Sequence, residues 1–483
     1  MVLLAGDLFH DNKPSRQTLY KAMTILRRNT MGPNPVKFQI SSNQAENFRS
    51  AICNTVNYED PYSCVDLPIF SIHGNHDDPT RDGGTDMLAA LDLLAVNHLV
   101  NYFGRHDKVD QVQVSPVLIK KGGTKVALYG MGSMRDERLN RMWQGKKVKF
   151  LKANRVNGNG SGDRSDDDED SDKDDESTGW FNIFALHQNR DLGRGAKNCV
   201  QESMIPEFMD LVVWGHEHEC LINPSESAVG TFRIIQPGSS VATSLTEGES
   251  MRKHVGILDI RGSQFRMVAV PLMNVRSFAM GQVILSEKNL DPEDPRIDEA
   301  IKELLTAEVE KLTEQAREDS RLLQKDAQAA SNGDIDLKEH RHYRVEKPDQ
   351  VLVRLKVEHS GFSTLHNQRF GSQFIKDVVS IIDRFFLCHT FNLRLAILIL
   401  SHNFFLDKKM NRQILQIFSF SIVGVPQPLL RAKRRGANPN LIKDSLNPFL
   451  PRIWMKSTLK ILSKRPLAPP TKNYKFSTSR DCL

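Results

Sequence analysis

Residues 2–10 read VLLAGDLFH, an apolar run that breaks at once into Gly6-Asp7 and ends at His10. Such a run, cut off by a glycine, is typical of a short buried strand that ends in a loop. The loop presents a carboxylate and an imidazole. Because a buried strand needs a neighbour on each side, this stretch predicts a sheet around residues 2–5.

Three further apolar runs share this format, since each ends in residues that can bind a metal ion. They are LPIFSIHGNHDD (67–78), WFNIFALHQNR (180–190) and FMDLVVWGHEHE (208–219). A fifth run, KVALYGMGS (125–133), has the strand pattern without such residues. Amphipathic stretches at 16–28 and 85–100 predict helices between the strands, which indicates an α/β layered fold. In such sheets ligands gather beyond the carboxyl ends of the strands, so the polar clusters should meet in space.

The chain has 483 residues, which is long enough for two or three domains. Of these residues, 39% are hydrophobic and 26% are charged, as in a globular protein. The six cysteines are scattered without a CxxC pair, which argues against a zinc ribbon or a disulfide scaffold and fits a reducing compartment. The net charge of +6 conceals two opposite segments. Residues 407–483 carry 16 lysines and arginines against 3 acids, and residues 163–176 carry 10 acids against 2 bases. A basic end fits either a polyanionic partner or a solvated disordered tail.

Pattern changes along the chain divide it into three parts. Residues 1–272 form the strand-rich first domain, interrupted by an acidic low-complexity segment at 157–179 that we expect to be disordered. Residues 273–380 predict a smaller α+β domain, with a helix at 294–318 and a strand at 349–359. Residues 381–483 form an atypical basic tail, predicted to be disordered. Its apolar stretch at 385–406 contains an arginine, two histidines and two asparagines, so we expect no membrane span.

The side chains at the strand ends form one set of candidate ligands. A carboxylate, an amide oxygen and several imidazoles suit a pair of divalent ions such as Mn²⁺ or Fe²⁺. Two such ions could activate a hydroxide and stabilise a phosphodiester during hydrolysis. Taken singly, Gly-Asp after a strand is usually a turn, and a histidine after an apolar run is usually a core residue. Together and in this order they indicate a metal site at Asp7, Asn75, His187, His216 and His218, with His10 and His76 nearby.

The order GD…GNHD…H…GHxH resembles the calcineurin-like metallophosphoesterases. The longer stretches GDLFHDNKPSR, SIHGNHDDPT, WGHEHEC and QPGSSVATSL are similar to the eukaryotic meiotic-recombination-eleven nucleases, and the resemblance covers about residues 1–380. It implies a layered β-sandwich flanked by helices, with a smaller α+β capping domain. It also implies a nuclear, Mn²⁺-dependent DNA nuclease of double-strand-break repair, with 3′→5′ exonuclease and single-strand endonuclease activities.

The resemblance also assigns roles to the candidate residues. Asp7 would bridge two Mn²⁺ ions, and His218 would bind the first of them. The second ion would be held by Asn75, His187 and His216. His76 would stabilise the transition state or protonate the leaving oxygen, and His10 would orient the DNA end.

Partners follow from the same resemblance. The domain at 273–380 would touch DNA, and the helices at 16–28 and 85–100 would form a homodimer interface. Residues 135–152 match the loop that receives nibrin in this family. The further usual partner is the SMC-like ABC ATPase of the MRN/MRX complex.

Two departures from the family pattern modify these expectations. The family begins with a strand that ends in Asp-x-His, some distance before GDLFH, and no such motif precedes Asp7 here. We therefore expect a truncated chain whose first metal site keeps only Asp7 and His218, with one intact metal site and with an unpaired strand edge in the sheet. The match also stops near Val379, before the helical segment on which the ATPase docks in this family.

Two other functions compete with an active nuclease. The first is a catalytically crippled truncated isoform that only dimerises or binds nibrin. The second is a phosphoprotein phosphatase on the same scaffold. Those enzymes carry GDxVDRG, whereas this chain has GDLFHDNKP, which disfavours that interpretation.

Overall fold

The fold is seen in a computed structural model. The structure describes residues 1–51, 54–79, 87–106, 111–153, 179–191, 193, 195, 197–272, 275–330, 350–363, 367–374, 377–378 and 397–401. The predicted disordered insert at 157–179, apart from Gly179, and most of the tail at 381–483 lie outside these residues.

Strands dominate the described part of the chain. The α-helices are α1 Arg16–Thr30, α2 Gln44–Asn47, α3 Ala90–Val96, α4 Asp136–Gln144, α5 Ile297–Ala330 and α6 Asn367–Gly371. The first strands are β1 Val2–Ala5, β2 Gln39–Ile40, β3 Ile69–Ile72, β4 Asn101–Tyr102, β5 Val112–Val114, β6 Val117–Lys121, β7 Thr124–Met131 and β8 Val148–Phe150. They are followed by β9 Trp180–Leu186, β10 Leu211–Trp214, β11 Leu221–Glu226, β12 Arg233–Gln236, β13 His254–Arg261, β14 Gln264–Pro271, β15 Phe278–Ile284, β16 Leu352–Glu358 and β17 Ile397–Ser401.

Two large sheets form the first domain. One has six strands in the order β14-β13-β17-β1-β3-β4, and the other has seven in the order β11-β12-β10-β9-β7-β6-β2. Strands β1, β3 and β4 run parallel to one another, as do β7, β9, β10 and β12. The five apolar runs of the sequence are therefore the central strands β1, β3, β7, β9 and β10, which confirms the predicted layered α/β fold.

Apolar side chains on both faces of β1 explain its unbroken apolar sequence. Leu3 and Ala5 pack between the sheets, against residues such as Leu128 of β7. Val2 and Leu4 point the other way and pack under α1 and α3. Burial of each large apolar side chain stabilises the fold by roughly 1.5–3 kcal/mol, so this four-residue strand contributes out of proportion to its length.

The expected unpaired edge beside β1 is not present. Strand β17 lies there, antiparallel to β1 and parallel to β13, with Val2 opposite Ile399. On its other side β1 pairs with β3. The prediction of an unpaired edge was wrong because a segment nearly 400 residues along the chain supplies the backbone partner, which no local pattern could indicate.

The helix predicted at 85–100 is shorter in the structure. Helix α3 spans Ala90–Val96, and residues 80–86 lie outside the described part. The chain leaves the helix at Asn97, and His98 adopts a left-handed backbone conformation with φ 57°. The turn after α3 is needed because β4 begins at Asn101 and must pair with β3.

A smaller unit follows the two sheets. Strands β15 and β16 pair in parallel, and the long helix α5 packs on them through Leu312 and Ala316. The helix extends beyond the predicted 294–318, to Ala330. Among the described helices none is long and apolar enough to cross a membrane.

Candidate metal centre

The predicted ligands lie where the central strands end. Asp7 follows β1 and Asn75 follows β3 in the six-stranded sheet, while His187 follows β9 and His216 follows β10 in the seven-stranded sheet. Since β1 is parallel to β3 and β9 is parallel to β10, each pair of loops leaves its sheet at the same edge. The two sheets pack face to face, so these edges adjoin and the four side chains converge.

Distances confirm that these four residues meet. The imidazole Nε2 of His187 lies 3.2 Å from Asn75 Oδ1 and 3.4 Å from Asp7 Oδ2. His216 Nδ1 lies 3.1 Å from the same amide oxygen of Asn75. Within the described residues, no group of three His, Cys, Asp or Glu side chains is placed to hold a metal ion by itself. The Asn75 amide is what joins His216 to the Asp7–His187 pair.

The hydrogen bond on the far side of His187 shows what these atoms can bind. Its Nδ1 lies 2.7 Å from the carbonyl oxygen of Ala5, which can only accept, so Nδ1 carries the proton. A neutral His187 then aims an Nε2 lone pair at oxygen lone pairs of Asp7 and Asn75. Such a convergence of acceptors is repulsive unless a proton or a cation lies among them.

The spacing of the donors fits a divalent ion. Two ligands at right angles on one ion, with bonds of about 2.1 Å, are separated by about 3 Å. The donor distances of 3.1–3.4 Å match that separation. Asp7, His187, His216 and His218 line a cavity of about 10 Å³. This is about the space that one water-sized sphere needs. The chemistry and spacing of the donor set therefore fit a divalent cation.

The electrostatics of the pair formed by Asp7 and His187 favour positive charge at the same place. Burial alone would lower the pKa of His187, but the negative charge and hydrogen bond of Asp7 outweigh it and raise that pKa. Burial would likewise raise the pKa of Asp7, but the charge of His187 holds it well below its usual range. A proton on His187 thus fills the position that a metal ion could occupy.

Unusual backbone conformations hold the ligands in place. Asp7 and His216 both lie in the left-handed region, with φ 56° and 73°. Such residues cost of order 1–3 kcal/mol each and are concentrated at functional sites. Gly6 is required before Asp7 for two reasons. A Cβ there would lie 2.2 Å from His187 Nδ1, and its φ of +92° is a conformation that other residues rarely adopt.

His76 and His10 lie beside the ligand group. The backbone N–H of His76 donates to Asp7 Oδ1 at 2.8 Å, while its ring Nδ1 lies 2.8 Å from the His10 carbonyl oxygen. The two imidazoles stack at 4.9 Å. The orientation of the His76 ring is therefore fixed by a backbone acceptor.

Asp77, the last residue of the GNHD motif, ties the two loops together and is missing from the predicted set. Its carboxylate accepts hydrogen bonds from the N–H groups of Gly74 at 2.7 Å and Phe9 at 3.3 Å. Burial, followed by the charge of Asp7, raises the pKa of Asp77 to about 7. Its position directly after His76, in the same motif as Asn75, was the signal that could have identified it.

His218 faces the same cavity but is held from a different direction. Its Nδ1 lies 3.0 Å from Glu249 Oε1 and 2.8 Å from Thr243 Oγ1. Both partners are buried and lie in the segment between β12 and β13. The sequence assigned no role to Glu249 or to Thr243, although Thr243 lies in the quoted stretch QPGSSVATSL, because neither residue directly follows a strand.

The fold and the strand-end site define the class of protein. Residues 1–220 match the calcineurin-like phosphoesterase family, and residues 265–384 match the family described as the Mre11 DNA-binding presumed domain. The predicted fold class is thus confirmed, and the second match lies close to the predicted capping domain at 273–380.

Comparison with individual proteins shows which known proteins this chain resembles in sequence. The chain is 45% identical over 385 residues to the double-strand break repair protein MRE11 of Arabidopsis thaliana and 44% identical over 387 residues to that of Oryza sativa subsp. japonica. It is 40% identical over 382 residues to that of Homo sapiens. Each match covers 78% of this chain. Over the matched region the chain is therefore similar to the MRE11 double-strand break repair proteins. It spans 47–48% of the length of these relatives.

Proposed function

We propose that this chain is a metal-dependent DNA phosphodiesterase of double-strand-break repair that acts in the nucleus with Mn²⁺ as its cofactor. Its reactions would be 3′→5′ exonucleolytic and single-strand endonucleolytic cleavage. The observation that carries this proposal is the convergence of acceptor atoms from Asp7, Asn75 and His187 within 3.2–3.4 Å. The similarity to MRE11 proteins of other organisms supports DNA as the substrate.

The side chains would divide the work as follows. Asp7 would bridge two ions, with Asn75, His187 and His216 on the second and His218 on the first. Bound divalent ions supply Lewis acid chemistry to phosphodiester hydrolysis. The neutral amide of Asn75 leaves the site with net positive charge, which favours a phosphate.

The two histidines outside the ligand set would act on the substrate itself. His76, with its Nδ1 held by the His10 carbonyl, would present Nε2 to the phosphate or to the leaving oxygen. His10, stacked on it, would orient the DNA end.

A direct assay tests this function. The purified chain should release nucleotides from the 3′ end of an end-labelled duplex when Mn²⁺ is present, and a chelator should stop the reaction. A chain that dimerises without any Mn²⁺-dependent cleavage would instead be the interaction protein of the competing hypothesis. Phosphate release from phosphopeptides without DNA cleavage would favour the phosphatase.

We also propose that the chain forms a homodimer through an apolar face formed by α1, α3 and the residues just before α3. It comprises Tyr20, Met87, Leu88, Leu93 and Val96. These side chains are 45–70% exposed, although both helices cover the same face of the six-stranded sheet. Exposed apolar side chains grouped on one surface mark interaction sites. The other proposed partners are the SMC-like ABC ATPase and nibrin, the latter at residues 135–152, where Arg141, Lys146 and Lys147 are exposed.

Introducing one charged side chain into this apolar face tests the proposed dimer. Leu93→Glu should convert the chain to a monomer, because a carboxylate buried without a partner costs several kcal/mol at an interface. Size-exclusion chromatography with light scattering measures the mass. Val229→Glu, at an apolar residue that is 63% exposed away from these helices, is the matched control and should leave the mass unchanged. A dimer that persists in Leu93→Glu would place the interface elsewhere.

A further inference from the structure

The segment between β12 and β13 carries a cluster of polar side chains around His218. Glu249 is 3% exposed, and its carboxylate accepts hydrogen bonds from the hydroxyls of Thr243 at 2.8 Å and Ser244 at 2.7 Å. The backbone N–H of Ser244 donates to the same oxygen at 2.9 Å. The backbone N–H of Thr243 donates to the other carboxylate oxygen at 2.5 Å, so both oxygens of Glu249 act as acceptors.

This carboxylate fixes which nitrogen of His218 carries the proton. An ionised carboxylate only accepts hydrogen bonds, so the Nδ1 of His218, 3.0 Å away, must be the donor. The ring nitrogen left with a lone pair is Nε2. Because His218 lines the cavity that Asp7 and His216 also line, Nε2 is the atom that can coordinate an ion there.

The backbone of His218 is held by the same cluster. Lys253 Nζ donates to the carbonyl oxygen of His218 at 2.9 Å and to Ser239 Oγ at 3.1 Å, and it lies 4.0 Å from Glu249 Oε2. The Ser239 N–H also donates to that carbonyl oxygen. Both the ring and the main chain of His218 are therefore positioned by residues 239–253.

We propose that Glu249, with Thr243, is a positioning residue that fixes the tautomer and orientation of His218 for binding a divalent cation. The inference rests on the proposed metal site and extends it to residues outside the strand-end motifs. Hydrogen bonding of the second ring nitrogen to a carboxylate raises the basicity of a histidine ligand, and loss of such a partner commonly weakens metal binding about 10–100-fold.

Calorimetric titration of the full chain with Mn²⁺ tests the proposal without an activity measurement. Glu249→Gln should weaken Mn²⁺ binding by about 10–100-fold. The binding event affected should be the same one that His218→Ala weakens. Glu247→Gln, an exposed neighbour in the same segment, is the matched control and should bind as the wild type does. Unfolding midpoints of all variants show whether each one is folded.

A second pair of variants separates positioning from a structural role. Thr243→Val keeps the side-chain shape but removes the hydroxyl that links Glu249 to His218, whereas Thr243→Ser keeps that hydroxyl. Valine should weaken Mn²⁺ binding and serine should restore it. Wild-type Mn²⁺ affinity in both Glu249→Gln and Thr243→Val would overturn this inference but leave the proposed function standing. A wild-type chain that binds no Mn²⁺ would contradict the proposed function as well.

Discussion

Asp7→Asn should abolish tight Mn²⁺ binding and lower Mn²⁺-dependent DNA cleavage by about a thousandfold or more, because transition-state stabilisation by a bound ion is worth several kcal/mol. The substitution keeps the shape of the side chain and its acceptor for the His76 N–H. It removes the negative charge that faces His187 at 3.4 Å. Calorimetry for Mn²⁺ and a nuclease assay on the same preparation measure both effects.

A nearby acid provides the control for this experiment. Asp11→Asn removes a carboxylate of the same loop that is exposed to solvent, and it should leave binding and cleavage unchanged. Cleavage by Asp7→Asn at the wild-type rate would show that the acceptor cluster is not the reaction centre. The proposed nuclease function of this chain would then fail.

Gly74→Ala should disrupt the same site through packing rather than charge. A Cβ at Gly74 would lie 2.0 Å from Asp7 Oδ1 and 2.4 Å from the Asp7 backbone nitrogen, so the loop after β1 must move. Overpacking of this kind costs typically 1–3 kcal/mol and sometimes more. We expect an unfolding free energy lower by about 3 kcal/mol and loss of tight Mn²⁺ binding.

Denaturant unfolding and calorimetry measure these two effects. Gly123→Ala is the control, because a Cβ there meets no atom within 4 Å. Its unfolding free energy should stay within about 0.5 kcal/mol of the wild type. If Gly74→Ala kept both stability and Mn²⁺ affinity, the contact between Gly74 and Asp7 would not determine the geometry of the site.

Much of the candidate site was predictable because its proposed ligands follow a local rule. Each lies directly after an apolar run, and parallel strands in a layered sheet bring such positions to a common edge. Asp7, Asn75, His187 and His216 were identified in this way, and their side chains meet in the structure. The five central strands were predicted for a related reason, since strands buried on both faces have continuous apolar sequences.

The partners of those ligands followed no such rule. Glu249 stands 31 residues beyond His218, in a segment with no repeating pattern, and only the fold brings their side chains to 3.0 Å. Lys253 and Thr243 also contact His218 or its partners only through the fold. Thr243 lies in the quoted stretch QPGSSVATSL (236–245), but neither residue follows a strand-end pattern, so the sequence gives no sign that either contacts His218.

The amino-acid sequence by itself therefore determined where the central strands lie along the chain and which residues stand at their ends. Apolar burial and strand-end chemistry are properties of a few consecutive residues, so local patterns record them. Tertiary structure alone decided that β17 pairs with β1, that Gly74 must be glycine against Asp7, and that Glu249 holds His218. Those contacts join residues distant in the chain, and their energies depend on three-dimensional distances that a linear pattern does not contain.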